Sequence, residues 1–315
     1  MDVIDSTAGS DVFPLLPLLV LARWVHFASV FVLFGSPLFW FLMDERPGEL
    51  PRAFRATSVL LRLAAVVAAC SGVAWLAGIL ANMANGFASV LDPETLRVFF
   101  NQTQFGPVVE LRLALLAAAL VITALPWRGR ASLAAFLCVG ALLLIDQAWL
   151  GHAAEGAGLH GALMLTVYSI HVLAAAAWVG GLPPLLFALA EQRRSPPPEA
   201  RAATLDILSR YSLMAMVAVS LIVASGIANA GFRVGFSFDR LLDADYGAVL
   251  AAKAGAVGAM LALAFFNRFI AMPRLRAAGG VAPTARLRAS VAVELALGVL
   301  VLGIAAVLGV TPPPQ

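Results

Sequence analysis

Two stretches of this sequence place an imidazole inside a long apolar run: "HFASVFVLFGS", His26 to Ser36, and "HVLAAAAWVGG", His171 to Gly181. An ionisable side chain at the centre of a bilayer costs roughly 2.5 to 3.5 kcal/mol on insertion scales, so such groups face a cavity or each other and mark function. Imidazole is the commonest protein ligand for metals, and with thioether sulfur it suits copper. His26 and His171 are therefore candidate ligands of one ion, with His152, His160, Met83 and Met164 as additional ligands. The same pair fits a second chemistry. Two histidines on facing helices of a bundle can be axial ligands of a b-type haem, and nearby Arg or Lys would suit its propionates. A single buried histidine is more simply explained by a hydrogen bond to a carbonyl or carboxylate; the duplicated placement is what singles out these two.

The elements that must position them are membrane helices. At 315 residues, 61% hydrophobic and 12% charged, with a mean hydropathy of +0.91, the chain has far more apolar surface than a water-soluble domain needs. A helix crossing the ~30 Å hydrocarbon core takes about 20 apolar residues. Eight such runs occur: 15–43, 59–81, 107–125, 131–150, 163–190, 211–230, 248–269 and 290–310. Backbone polar groups in lipid must be satisfied within the segment, so runs of this length rich in Leu and Ala predict helices. The expected fold is all-α, a polytopic membrane helix bundle of eight transmembrane helices. The first fourteen residues carry Asp2, Asp5 and Asp11 and no Lys or Arg, unlike a signal peptide, so the first run is expected to be retained. Cys70 and Cys138 sit in apolar stretches without CxxC spacing and read as lipid-buried small residues, neither disulfide nor metal clip.

Basic residues set the orientation. Arg46, Arg52 and Arg55 follow the first run, Arg128 and Arg130 the third, Arg193, Arg194, Arg201 and Arg210 the fifth, and Arg268, Arg274, Arg276, Arg286 and Arg288 lie around the loop after the seventh. The opposite loops hold Arg97, Arg233 and Arg240. Basic loops stay cytoplasmic, so both termini are expected outside. The pI near 9.3 then reflects topology, and no nucleic-acid partner is expected.

The halves resemble each other. His26 and His171 are each followed nine residues later by a glycine, Gly35 and Gly180, with Pro37 and Pro183 just beyond; Ser71-Gly72 matches Ser225-Gly226; Phe105-Gly106 and Tyr246-Gly247 are each followed by a cation, Arg112 and Lys253. Four helices per unit give two parallel repeats related by an axis along the membrane normal. The expected organisation is an extracytoplasmic tail 1–14, a first repeat 15–150, an outer loop 151–162, a second repeat 163–310 and a tail 311–315. Gly35, Gly180, Gly181 and Trp178 are expected to serve helix packing.

Depth follows from the ~1.5 Å rise per residue. Arg23, His26, Glu110, Arg112, Asp146, Gln147, His171, Asn229 and Lys253 all fall in the extracytoplasmic half, predicting a polar vestibule open to that side. Asp146 is the expected counter-ion of Arg112 or Arg23, while Glu110 and Arg112, two apart, point in different directions. Arg62 and Glu294 are expected near an interface, where long side chains snorkel. Three cations against two carboxylates make a poor entrance for a bare cation. No HExxH, GxxxxGK or GxSxG motif occurs, so no enzyme is expected.

The motif "WLGHAAEGAG" followed by "HVLAAAAWVGGLPPLLFAL", then "VASGIANA", "YGAVLAAKAG" with "LAFFNRF", and "RWVHFASVFVLFG" upstream, resembles the copper resistance protein D family (CopD). The resemblance implies a bacterial inner-membrane protein of about eight helices, copper as the ion handled, and His26, His152 and His171 as its ligands. It also implies a periplasmic CopC-like copper carrier as a separate partner, since no CopC-like or methionine-rich segment is present in the sequence. Copper transport from the periplasm is the leading expectation. A haem or quinone-linked electron-transfer protein, and a copper-binding delivery module without transport, are the alternatives.

Overall fold

The computed structural model describes residues 15–43, 48–84, 86–150, 158–191, 198–234, 244–278 and 281–311. Its helices are α1 (Leu15–Leu42), α2 (Pro51–Met83), α3 (Pro93–Gln102), α4 (Gly106–Ala124), α5 (Arg130–Asp146), α6 (Gly158–Glu191), α7 (Pro198–Val234), α8 (Ala244–Phe266), α9 (Met272–Ala278) and α10 (Val281–Leu308). Two 3-10 turns, Phe87–Leu91 and Gln147–Leu150, and a π turn, Asn267–Ala271, complete the described elements. Eight helical segments are long and apolar enough to cross a membrane; α8, the π turn and α9 run together as one of them. The protein is thus an all-helical, multi-pass bundle. Leu63, Val121, Leu213 and Phe265 are exposed on the helix surfaces, where lipid is the solvent. Cys70 and Cys138 are free thiols on the same exposed helix faces.

Several helices begin earlier than hydropathy predicts: α2 at Pro51 instead of 59, α7 at Pro198 instead of 211, α10 at Val281 instead of 290. Hydropathy sees only the lipid-facing length, whereas a proline with φ already near −65° starts a helix well in polar surroundings. The first turn of α2 is closed from another helix, because Glu191 at the end of α6 accepts from the Arg52 and Ala53 amides at 3.3 and 2.9 Å. A carboxylate there offsets the positive helix end.

α1 and α6 form the centre of the bundle, α1 also touching α2, α5 and α10, and α6 touching α2, α5, α7 and α10. Their closest approach is Gly35 against Gly180. A Cβ on Gly35 would overlap the Ala176 carbonyl, and one on Gly180 would overlap that of Phe31. Only glycines allow this backbone contact. Pro184 has no N–H for the Gly180 carbonyl four residues earlier, and Ser36 of α1 supplies the missing donor, Oγ to Gly180 O at 2.7 Å. Gly181 faces the Tyr211 ring. Trp24 of α1 donates to Val299 O of α10 at 2.8 Å, which ties the last span to the first.

α3 is a short helix outside the spans that hydropathy does not detect. Its Phe99 packs with Leu76, Leu80 and Val109. Asp92 caps it, accepting from the Thr95 amide at 2.8 Å and the Thr95 hydroxyl at 2.7 Å.

Candidate functional site

The site is built where α1, α5, α6, α7, α8 and α10 meet, at the bundle end where α1 begins. A cavity of about 190 Å³ lies there, and both His26 and His171 line it. Each histidine packs on a glycine of the following span. The His26 ring edge lies over Gly72 and the His171 edge over Gly226.

The hydrogen bonds define each ring's tautomer. His26, fully buried, has Nδ1 at 2.9 Å from Ala68 O and Nε2 at 2.8 Å from Arg112 Nη1. A carbonyl only accepts and a guanidinium only donates, so Nδ1 carries the proton and Nε2 is the acceptor. Arg112 is fully engaged: Nε donates to Asp146 Oδ2 at 2.8 Å and Nη2 to Leu143 O at 3.0 Å, and its face lies over Trp75. Of the two cations open to Asp146 on sequence grounds, Arg112 is the partner. This network leaves His26 no lone pair for a metal unless Arg112 moves.

His171 differs. Ser225 Oγ donates to Leu221 O at 2.5 Å and so receives Nδ1–H of His171 at 3.0 Å. With Nδ1 held, Nε2 is the nitrogen available to an occupant of the cavity. Lys253, the counterpart of Arg112, also lines the cavity.

The rest of the lining is donor-rich. Arg23, Arg112 and Lys253 contribute positive charge, and Gln147, Tyr168, Asn229 and Tyr246 contribute neutral polar groups; no carboxylate lines the cavity among the described residues. Gln147 Nε2 is buried without a hydrogen-bond acceptor, as Asp146 Oδ1 is without a donor. Buried polar atoms are rarely left so, and an orphaned N–H beside a cationic cavity suits an acceptor or anion.

Other residues singled out in the sequence fall elsewhere. His152 lies outside the described residues. His160 is exposed on α6, edge-on to Phe232; Met83 is exposed at the end of α2; Met164 is half-buried; none of the three lines the cavity. Glu110 is exposed. Among the described residues, no group of three or more His, Cys, Asp or Glu side chains is placed to hold a metal.

One polar cluster is packed differently from the sequence expectation. Glu294 does not reach out to solvent by snorkelling: it stands at the middle of the 28-residue α10 and is only 4% exposed. Trp178 Nε1 donates to its Oε1 at 2.8 Å and Asn267 Nδ2 to its Oε2 at 2.9 Å. An acid inside "SVAVELALG" was the available signal; its partners, Trp178 and Asn267, come from other segments and show only in the packed bundle.

Eight spanning helices around a cavity lined by a few polar side chains define a multi-pass α-helical membrane protein. The model for the copper resistance protein D-like N-terminal domain matches residues 11–162, and that for copper resistance protein D matches residues 205–308. The chain belongs to the copper resistance protein D family. It is 29% identical over 309 residues to copper resistance protein D of Pseudomonas syringae pv. tomato, covering 94% of this chain and 97% of that protein. It is 29% identical over 256 residues to inner membrane protein YebZ of Escherichia coli (strain K12), covering 81% and 84%. Copper transport protein CutJ of Bacillus subtilis (strain 168) is 28% identical over 240 residues, 74% of this chain and 42% of that protein. No solved structure matches the chain.

Proposed function

We propose that this copper-related inner-membrane protein takes copper from the periplasmic side into the cavity between α1 and α6, with His171 Nε2 as a nitrogen ligand. The observation that carries the reading is that both intramembrane histidines line one cavity, while only His171 has a ring nitrogen left over after its hydrogen bonds within the protein. The bias of arginines toward alternate loops supports an extracytoplasmic position for the cavity and for both termini. The matched His, Ser-Gly and cation settings in the two halves support a pair of parallel four-helix repeats, 15–150 and 163–310.

The cationic lining bears on the form of the cargo. Arg112 is paired with Asp146, but Arg23 and Lys253 add positive charge to the lining, which disfavours a bare copper ion. Copper is therefore expected to enter with an anionic or neutral co-ligand, received on the side of the cavity lined by Lys253 and Gln147, and delivered by a separate CopC-like carrier. His26 then positions Arg112 instead of binding metal.

The haem reading fits less well. Pockets for drug-sized ligands begin at roughly 300 Å³, above the volume found here, and both nitrogens of His26 are already bonded.

The test is copper uptake into vesicles containing the purified protein. Uptake in the wild type, lost in His171→Ala, is the expected result. Copper bound without uptake would select the delivery role; neither binding nor uptake would contradict the proposal.

A further inference from the structure

We propose that Glu294, with Asn267 as a two-way hydrogen-bond partner, is a reversible proton-binding site buried inside the bundle that couples movement of the cargo to movement of protons. The coupling rests on the transport reading above; the proton site does not.

Glu294 has two hydrogen bonds, from the Trp178 indole and the Asn267 amide, and no ion pair among the described residues. Every neighbouring element was a possible source of a cation. Arg23 of α1 and Lys253 of α8 lie at the cavity, as does His171 of α6; Glu191 of α6 caps α2. Arg268 of the π turn donates to Ser212 at 2.5 Å and Arg276 of α9 to Ser209 at 2.6 Å, while Arg274 is exposed. Arg286 and Arg288 on α10 itself lie at least about a turn and a half nearer its start. Tyr211 of α7 is the titratable group beside the cluster, donating to Trp178 O at 2.6 Å. An isolated buried carboxylate must be neutralised by a proton or a cation, because its desolvation is costly.

The orphaned atom of the cluster shows how a proton is accommodated. Asn267 is itself 9% exposed, and its Oδ1 is buried without a donor. When Glu294 is ionised, Asn267 Nδ2–H donates to Oε2, as found. When Glu294 is protonated on Oε2, rotation of the amide turns Oδ1 to accept that proton, and the orphaned acceptor gains its bond. The Trp178 bond to Oε1 serves either form. Asn267 opens the π turn, an element that recurs at functional sites because it re-aims side chains inside a helix.

The cluster is also in line with the cavity. Trp178 follows His171 by seven residues on α6, and the lining residue Leu302 follows Glu294 by eight on α10. Both separations are two turns, about 11 to 12 Å, and keep one helix face.

Infrared difference spectra between acid and alkaline pH, on the protein in lipid vesicles without copper, test the site. The carbonyl stretch of a buried carboxylic acid is expected on acidification in the wild type, absent in Glu294→Gln and displaced in Asn267→Ala. Identical difference spectra in wild type and Glu294→Gln would overturn the proposal. If Glu294→Gln does not fold, an unchanged band in Asn267→Ala overturns it. A second arm measures the copper accumulation ratio, which an imposed gradient of one pH unit should change about tenfold per coupled proton in wild type and leave unchanged in Glu294→Gln. Equal responses would remove the coupling. Absence of uptake in every sample would instead remove the transport reading, while the spectra still decide the proton site.

Discussion

His26 and His171 have the same residue type and matched positions but different hydrogen-bonding states. The difference comes from the partner of Nε2: a guanidinium held at 2.8 Å in the first half, the cavity in the second. Ser225 fixes the His171 tautomer, and outer partners of this kind are typically worth 10–100-fold in metal affinity. Ser225→Ala should therefore weaken copper binding by about that factor in an equilibrium titration, without loss of fold. The Arg112–Asp146 pair is 1% and 2% exposed, and removing one partner strands a buried charge. Asp146→Ala should cost about 3–5 kcal/mol by denaturation in detergent, and Asp146→Ala combined with Arg112→Met should recover part of it. The histidines and Arg112 were legible in the sequence as charges in apolar runs. Which of them holds the other was not, because that depends on how α1, α2 and α4 are packed.

At the scale of elements, the crossing of α1 and α6 positions the cavity, and it depends on a glycine contact and one hydroxyl. Ser36→Ala should leave the Gly180 carbonyl unsatisfied and cost about 1–3 kcal/mol, read as a lowered midpoint of thermal unfolding. The eight spans were legible because hydropathy reports length in lipid. Helix starts in polar surroundings were not, nor was the burial of Glu294 among partners from other segments; α3 is too short and polar to register. Its cap gives a pH dependence outside the membrane. The Thr95 hydroxyl and amide hold the Asp92 carboxyl below the usual carboxylate range. Its contribution is complete above the ordinary Asp value and is lost as pH falls through the lowered one. Amide exchange at Thr95 should quicken in that acid window, and at neutral pH in Asp92→Ala.

At the scale of the whole molecule, residues from both halves of the sequence line one cavity, and the two halves are not chemically equal. The first half uses its carboxylate, Asp146, to neutralise Arg112; the second carries Glu294 deep in the bundle with neutral donors only. The matched spacing of the two histidines was readable in the sequence, but their different partners required the packed side chains. The proposed orientation is open to a direct check. With Cys70 and Cys138 replaced, Arg194→Cys should react with a membrane-impermeant thiol reagent only from the cytoplasmic face.

The central claim is that copper binds in the shared cavity through His171. Metal analysis of the detergent-purified protein after copper loading tests it most directly, comparing wild type with His171→Ala. Near-stoichiometric copper in the wild type and its loss in the variant is the predicted result. Equal copper in both, or none in the wild type, would contradict it.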